Sequence, residues 1–156
     1  MSGNRSWSGR HPLTGFAMDQ SALDATPQEA ISATAVTLYV CVTCRAGEEG
    51  DANPRAGRRL HDALAEAQRH QDGAPSFQIV EIECLSNCNR GCSVALTGPG
   101  RWSYIYGDLN QASVDDVLTG ASKYAATEDG LVPWRERPTI FRKGVIARIP
   151  PSPKPV

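Results

Sequence analysis

Two apolar runs, VTLYVCV over residues 36–42 and FQIVEIE over residues 77–83, each lead straight into cysteines, and a helical pattern separates them. Short runs rich in β-branched and aromatic residues fit buried strands. Between them Leu60, Ala63, Leu64 and Ala67 recur at i, i+3, i+4 and i+7, the core stripe of an amphipathic helix. Asn53 is the expected cap of that helix, with Pro54 in its first turn, and Gly73 and Pro75 are expected to end it. A strand–helix–strand crossover makes its two strands parallel. Both strands then leave the sheet at one end, and the cysteines behind each arrive at one place.

The rest of the chain extends this unit. Residues 93–107 read as a hairpin: an apolar strand, a Gly98-Pro99-Gly100 turn, and a strand carrying Trp102, Tyr104 and Tyr106 on one face. Ser113 with Asp116 has the form of a capping box. It would open a helix whose Val114, Val117, Leu118, Ala121 and Tyr124 share one face, with Gly130 as its stop. Ile140, Phe141, Val145 and Ile146 point to an edge strand within residues 139–148. The expected order, β-α-β, then a β-hairpin, then α, is a thioredoxin-like α/β arrangement built on a single mixed sheet. This domain is expected over residues 35–150. Residues 1–34, polar with scattered Trp7, Leu13, Phe16 and Leu23, read as a disordered, flexible leader, with a turn of helix near residues 26–35. Residues 151–156 read as a proline-rich extended tail.

Charge and composition narrow the partners. A net charge of −1 gives no electrostatic case for nucleic acid or an anionic membrane surface. No apolar run approaches the ~20 residues of a membrane span. The amino-terminal residues lack the apolar core of a secretory signal, so a cytoplasmic protein is expected. In a reducing compartment disulfides are disfavoured, and five cysteines is an odd number.

The cysteines therefore read as ligands. Cys41-Val-Thr-Cys44 alone is a weak signal, but Cys84-Leu-Ser-Asn-Cys88-Asn-Arg-Gly-Cys92 beside it makes a metal site the favoured reading. Thiolates hold either a 2Fe–2S cluster or Zn²⁺. Gly91 would let backbone N–H groups approach the sulfurs. The bland alternative, an ordinary buried thiol, carries weight mainly for Cys41 in its apolar strand. A thiol redox enzyme would need a helix N-terminus at the C-x-x-C to activate the nucleophile. Asn53, the expected cap, lies nine residues beyond Cys44, which removes that device. His61 and His70 read as solvated helix residues, so a Cys–His catalytic pair has no support. The expectation is a metal-binding protein and no catalyst. Arg135, Arg137, Arg142, Lys143 and Arg148 against Glu136 form a basic segment. It reads as a solvated face by default, or as the contact for an acidic redox partner or a homodimer.

VCV closing the first strand, C-x-x-x-C after the second, the aromatic strand over 102–107 and Arg142-Lys143-Gly144 together resemble the thioredoxin-like 2Fe–2S ferredoxins. The phrases VCVTCR, ECLSNCNRGCSVAL, PGRWSYIYGDL, LVPWRERP and RKGVIARIPP resemble a bacterial family of small predicted metal-binding proteins of unknown function. The resemblance covers residues 36–151 and implies an electron-transfer protein with a cysteine-ligated 2Fe–2S cluster. It maps Cys41 onto the first ferredoxin ligand and Cys84 and Cys88 onto the third and fourth. The second ligand of those ferredoxins comes from a longer loop; here Cys44 is the residue offered, and Cys92 stands where they have no cysteine. The expected set is Cys41, Cys44, Cys84 and Cys88, with Cys92 the alternative to Cys44 and Zn²⁺ the alternative to the cluster. A protein redox partner and pairing into a homodimer are further implications.

Overall fold

The computed structural model describes residues 36–153. The expected leader, its turn of helix and the last residues of the tail lie outside the described residues. Five strands form one mixed sheet: β1 (Thr37–Cys41), β2 (Gln78–Ile82), β3 (Val94–Thr97), β4 (Ser103–Tyr106) and β5 (Val145–Ile149). Their spatial order is β2-β1-β3-β4-β5, with β1 and β2 parallel and every other pair antiparallel. Helix α1 (Ala56–Arg69) is the crossover between the parallel strands, and α2 (Val114–Ala125) follows the hairpin.

Register explains the core. Leu38 pairs with Leu96 and Leu96 with Tyr104; Val40 pairs with Val94 and Val94 with Tyr106. These two rows share one face because side chains alternate along a strand. Leu38, Val40, Val94 and Leu96 are fully buried there, together with Leu60 and Leu64 of α1 and Val117, Leu118, Ala121 and Tyr124 of α2. Of the helical stripes read from the sequence, Leu60, Leu64, Val117, Leu118, Ala121 and Tyr124 are buried, and Ala63, Ala67 and Val114 are half-buried.

Three local expectations are corrected. Asn53 does not cap α1; the helix opens at Ala56, and the Gly57 N–H donates to the Cys44 carbonyl at 2.9 Å. A backbone oxygen from the loop behind β1 satisfies the orphan donor, so no side-chain cap is used. Ser113 does not cap α2 either, because a 3₁₀ turn over Gln111–Ser113 moves the start upstream. There Asn110 accepts from the Ala112 N–H at 2.9 Å, and its own N–H donates to the Ser113 hydroxyl at 3.3 Å. Finally, residues 139–148 hold a short helix, α3 (Thr139–Lys143), before β5 begins. Phe141 of α3 is buried and stacks on Tyr106 with ring centroids 4.0 Å apart. A Cβ on Gly120 of α2 would run into the Phe141 ring, so glycine is what lets the two helices meet. β5 is an edge strand, as expected, and residues 151–153 carry no regular structure.

Candidate metal centre

The strand register carries all five cysteines to one end of the sheet. Cys41 closes β1 and is aligned with Ile82, the last residue of β2, so Cys84 leaves the sheet beside it. β3 runs the other way and begins with Val94 opposite Val40, which brings Cys92 in at the same end. The Cys41 N–H donates to the Ser93 carbonyl at 3.1 Å, and the Val42 N–H to the Ile82 carbonyl at 2.9 Å. All five are free thiols; Cys41, Cys44 and Cys92 are buried, while Cys84 and Cys88 are exposed. Cys44 is the hub: its thiol hydrogen-bonds with that of Cys92 and lies within electrostatic reach of Cys41 and Cys88. Gly91 lies against the Cys44 sulfur so closely that a Cβ there would collide with it. The Cys41 thiol donates to the Glu83 carbonyl at 3.4 Å.

Two of these cysteines sit in the same kind of turn. The Ser86 N–H donates to the Cys84 sulfur at 3.2 Å, and the Ala46 N–H lies near enough to the Cys44 sulfur to favour its thiolate. In each case that residue lies two positions after the cysteine and adopts a positive φ, 55° for Ser86 and 51° for Ala46. A non-glycine residue in that region costs about 1–3 kcal/mol and persists only where its surroundings impose it. An N–H aimed at sulfur favours the thiolate over the thiol. The one other non-glycine residue with positive φ among the described residues, Asp108, also serves this end. Its carboxylate takes the Arg90 guanidinium at 2.5 and 2.9 Å, and its N–H donates to the Arg90 carbonyl at 2.7 Å. Asn87 donates to the Ser93 hydroxyl at 2.8 Å, and the Thr43 hydroxyl donates to the Glu83 carbonyl. Both cysteine loops are therefore pinned by hydrogen bonds, in addition to the packing of Cys44, Leu85 and Cys92 against the core.

Burial pushes the Cys44 thiol above its ordinary range, although the Ala46 N–H works against the rise. Burial, with Cys44 beside it, pushes Cys92 up to about 12. Neither is an activated nucleophile. Contrary to the expectation from sequence distance, Cys44 lies against the start of α1. The loop after Cys44 folds back so that its carbonyl meets the first turn of α1.

The donor set is made of thiols alone, which suits soft-ligand centres such as Fe–S or Zn²⁺. Among the described residues, no group of three Cys, His, Asp or Glu side chains stands arranged to hold a single metal ion. Two sulfur-directed N–H groups and the Cβ-free surface of Gly91 are the surroundings a thiolate-bound group needs, so the residues present fit one. Of the supporting residues, Gly91 stood out in the sequence. Ala46, Ser86 and the Arg90–Asp108 clasp did not, since nothing about those residue types announces a left-handed turn.

Comparison with solved structures identifies the fold as thioredoxin-like. The chain is similar to a thioredoxin-like [2Fe-2S] ferredoxin from Aquifex aeolicus, with TM-score 0.51 and 19% identity over 74% of this chain and 93% of that one. A second structure of the wild-type ferredoxin from that organism aligns with TM-score 0.48 and 21% identity, over 73% of this chain and 98% of that one. No curated protein matches the sequence. Among the described residues, no helix is long and apolar enough to cross a membrane. A family model described as "Protein of unknown function (DUF1636)" matches residues 38–151, from within β1 to just past β5 and across all five cysteines, and the chain belongs to that family.

Proposed function

We propose that this protein is a ferredoxin-like electron carrier, with Cys41, Cys44, Cys84 and Cys88 holding a 2Fe–2S cluster. The observation that carries the reading is the matched pair of turns. Cys44 and Cys84 follow the ends of two parallel strands, and each sulfur lies near the N–H of the residue two positions on. The fold likeness and the run of cysteines within the family match support it. When bound, such a cluster supplies a one-electron redox step with no change in bonding of a substrate. The chain's own groups do the rest. The Ala46 and Ser86 N–H groups orient two sulfurs and offset their negative charge, which sets how readily an electron is accepted. Buried Cys41 and Cys44 exclude water on one side, while exposed Cys84 and Cys88 form the lip through which a partner exchanges electrons. Cys92 lacks the turn that Cys44 has and serves as a neighbouring thiol outside the ligand set.

Single Cys→Ser variants purified without oxygen test the ligand set. Iron and acid-labile sulfide should be lost from C41S, C44S, C84S and C88S and retained in C92S. Retention in C44S with loss in C92S would exchange the two and overturn the assignment.

A further inference from the structure

We infer that the face formed by residues 134–149 docks an acidic protein partner. This stretch carries Arg135, Arg137, Arg142, Lys143 and Arg148 against the single acid Glu136. Earlier in the described chain Arg45, Arg58, Arg59, Arg69 and Arg90 each make an ion pair with Asp or Glu. Among the described residues none of the later five does; Arg135, Lys143 and Arg148 are exposed, while Arg137 and Arg142 are half-buried and the Arg137 Nε–H donates to the Val132 carbonyl at 2.7 Å.

Two of the five are held in place by rings instead. The Arg148 guanidinium lies 3.9 Å from the Trp102 ring centroid, and Arg137 lies 5.7 Å from that of Trp134 and 5.9 Å from that of Tyr104. A guanidinium lying on an aromatic face keeps its edge donors free for carboxylates. The large apolar side chains left exposed among the described residues are Trp134, at 60%, and Ile149, at 48%, and both belong to this stretch. Tryptophan and arginine together are the residues that dominate protein interfaces. Among the described residues β5 is bonded only to β4, which leaves its other backbone edge without a described strand.

The sign of the charge selects the occupant. A second copy pairing β5 against β5 across a two-fold would bring the two Arg148 side chains near each other, which opposes association. Nucleic acid would use the cations but neither Ile149 nor the strand edge, and the chain as a whole is at −1. A protein with carboxylates around an apolar socket matches the linked Trp134, Arg137, Tyr104, Arg148 and Trp102 side chains and the strand edge beside them. The inference does not depend on the cluster, and apo and loaded protein should behave alike in its test.

Fluorescently labelled poly-L-glutamate serves as the acidic probe, added to the full-length chain and followed by anisotropy. Binding should weaken steeply as salt is raised. The double variant R135E/K143E changes two exposed side chains and should melt like the parent, yet weaken binding by about tenfold or more. R45E/R55E, at the cysteine end, should leave it within about twofold. Absence of binding, or equal loss in both variants, would overturn the assignment. So would tighter binding of duplex DNA of equal charge, or a salt-resistant dimer in sedimentation that Ile149→Asp dissociates.

Discussion

At the end of the sheet where β1 and β2 finish, the chain is held by backbone hydrogen bonds, close-lying glycines and thiols; between β4, α2 and α3 it is held by rings. Tyr104 stacks on Tyr106 at 5.8 Å and meets Tyr124 edge-on at 6.4 Å, while Tyr106 stacks on Phe141. The Tyr124 hydroxyl donates to the Trp102 carbonyl at 2.8 Å, closing α2 onto the hairpin. The aromatic half is held mainly by apolar area taken out of water, although the buried Tyr104 hydroxyl has no hydrogen-bond partner among the described residues. The cysteine half has two turns in unfavourable backbone conformations and two exposed thiols. One region packs the fold; the other gathers the five thiols that the proposed function assigns to a cluster.

Phe141→Ala should break the ring-held half most severely. Removing a fully buried ring costs about 3–5 kcal/mol, read as a lowered urea midpoint, and the variant that does fold should keep its normal iron content. Loss of iron in proportion to stability would mean the two regions are not separable. Paired glycine variants sharpen the contrast. Gly91→Ala drives a Cβ into the Cys44 sulfur and Gly120→Ala drives one into the Phe141 ring, each expected to cost about 1–3 kcal/mol. Only Gly91→Ala should also abolish the metal centre, as judged by iron per folded chain.

Alkaline pH should act on the rings. Burial raises the Tyr124 phenol from 10.0 to about 12, and raises Tyr106 further. The unfolded chain then loses these protons first, so the stabilisation is complete below pH 10 and is lost as pH climbs through about 12. Denaturation curves taken across that window should show the decline, and Tyr124→Phe should flatten it at that position. The smallest effect belongs to Arg90→Ala. Its exposed pairing with Asp108 contributes less than about 1 kcal/mol, so the midpoint should barely move. Iron should nonetheless leave faster in a chelator challenge, because the pairing pins the loop that carries Cys88 and Cys92.

The sequence already displayed what depends on periodicity. β1, β2, the hairpin and the stripes of α1 and α2 all follow from side-chain alternation or the helical repeat, and parallel crossover brings Cys41 and Cys84 together. What it concealed depends on atoms distant in the chain or on backbone alone. Five-residue α3, set between Pro138 and Gly144, is too short to display a period. The Cys44 carbonyl caps α1 through space, which no local reading of Asn53 and Pro54 could reveal. Ala46 and Ser86 occupy left-handed conformations without the glycine or asparagine that normally advertises them. In the proposed ligand set those two turns favour Cys44 over Cys92, the choice the spacing of the cysteines left open.

Direct analysis of the wild-type chain purified without oxygen tests the central claim. The account expects a red-brown protein carrying two irons and two acid-labile sulfides per chain, about the stoichiometry of a 2Fe–2S cluster. It should give an electron paramagnetic resonance signal once reduced. A colourless protein with about one zinc per chain and no sulfide would contradict it.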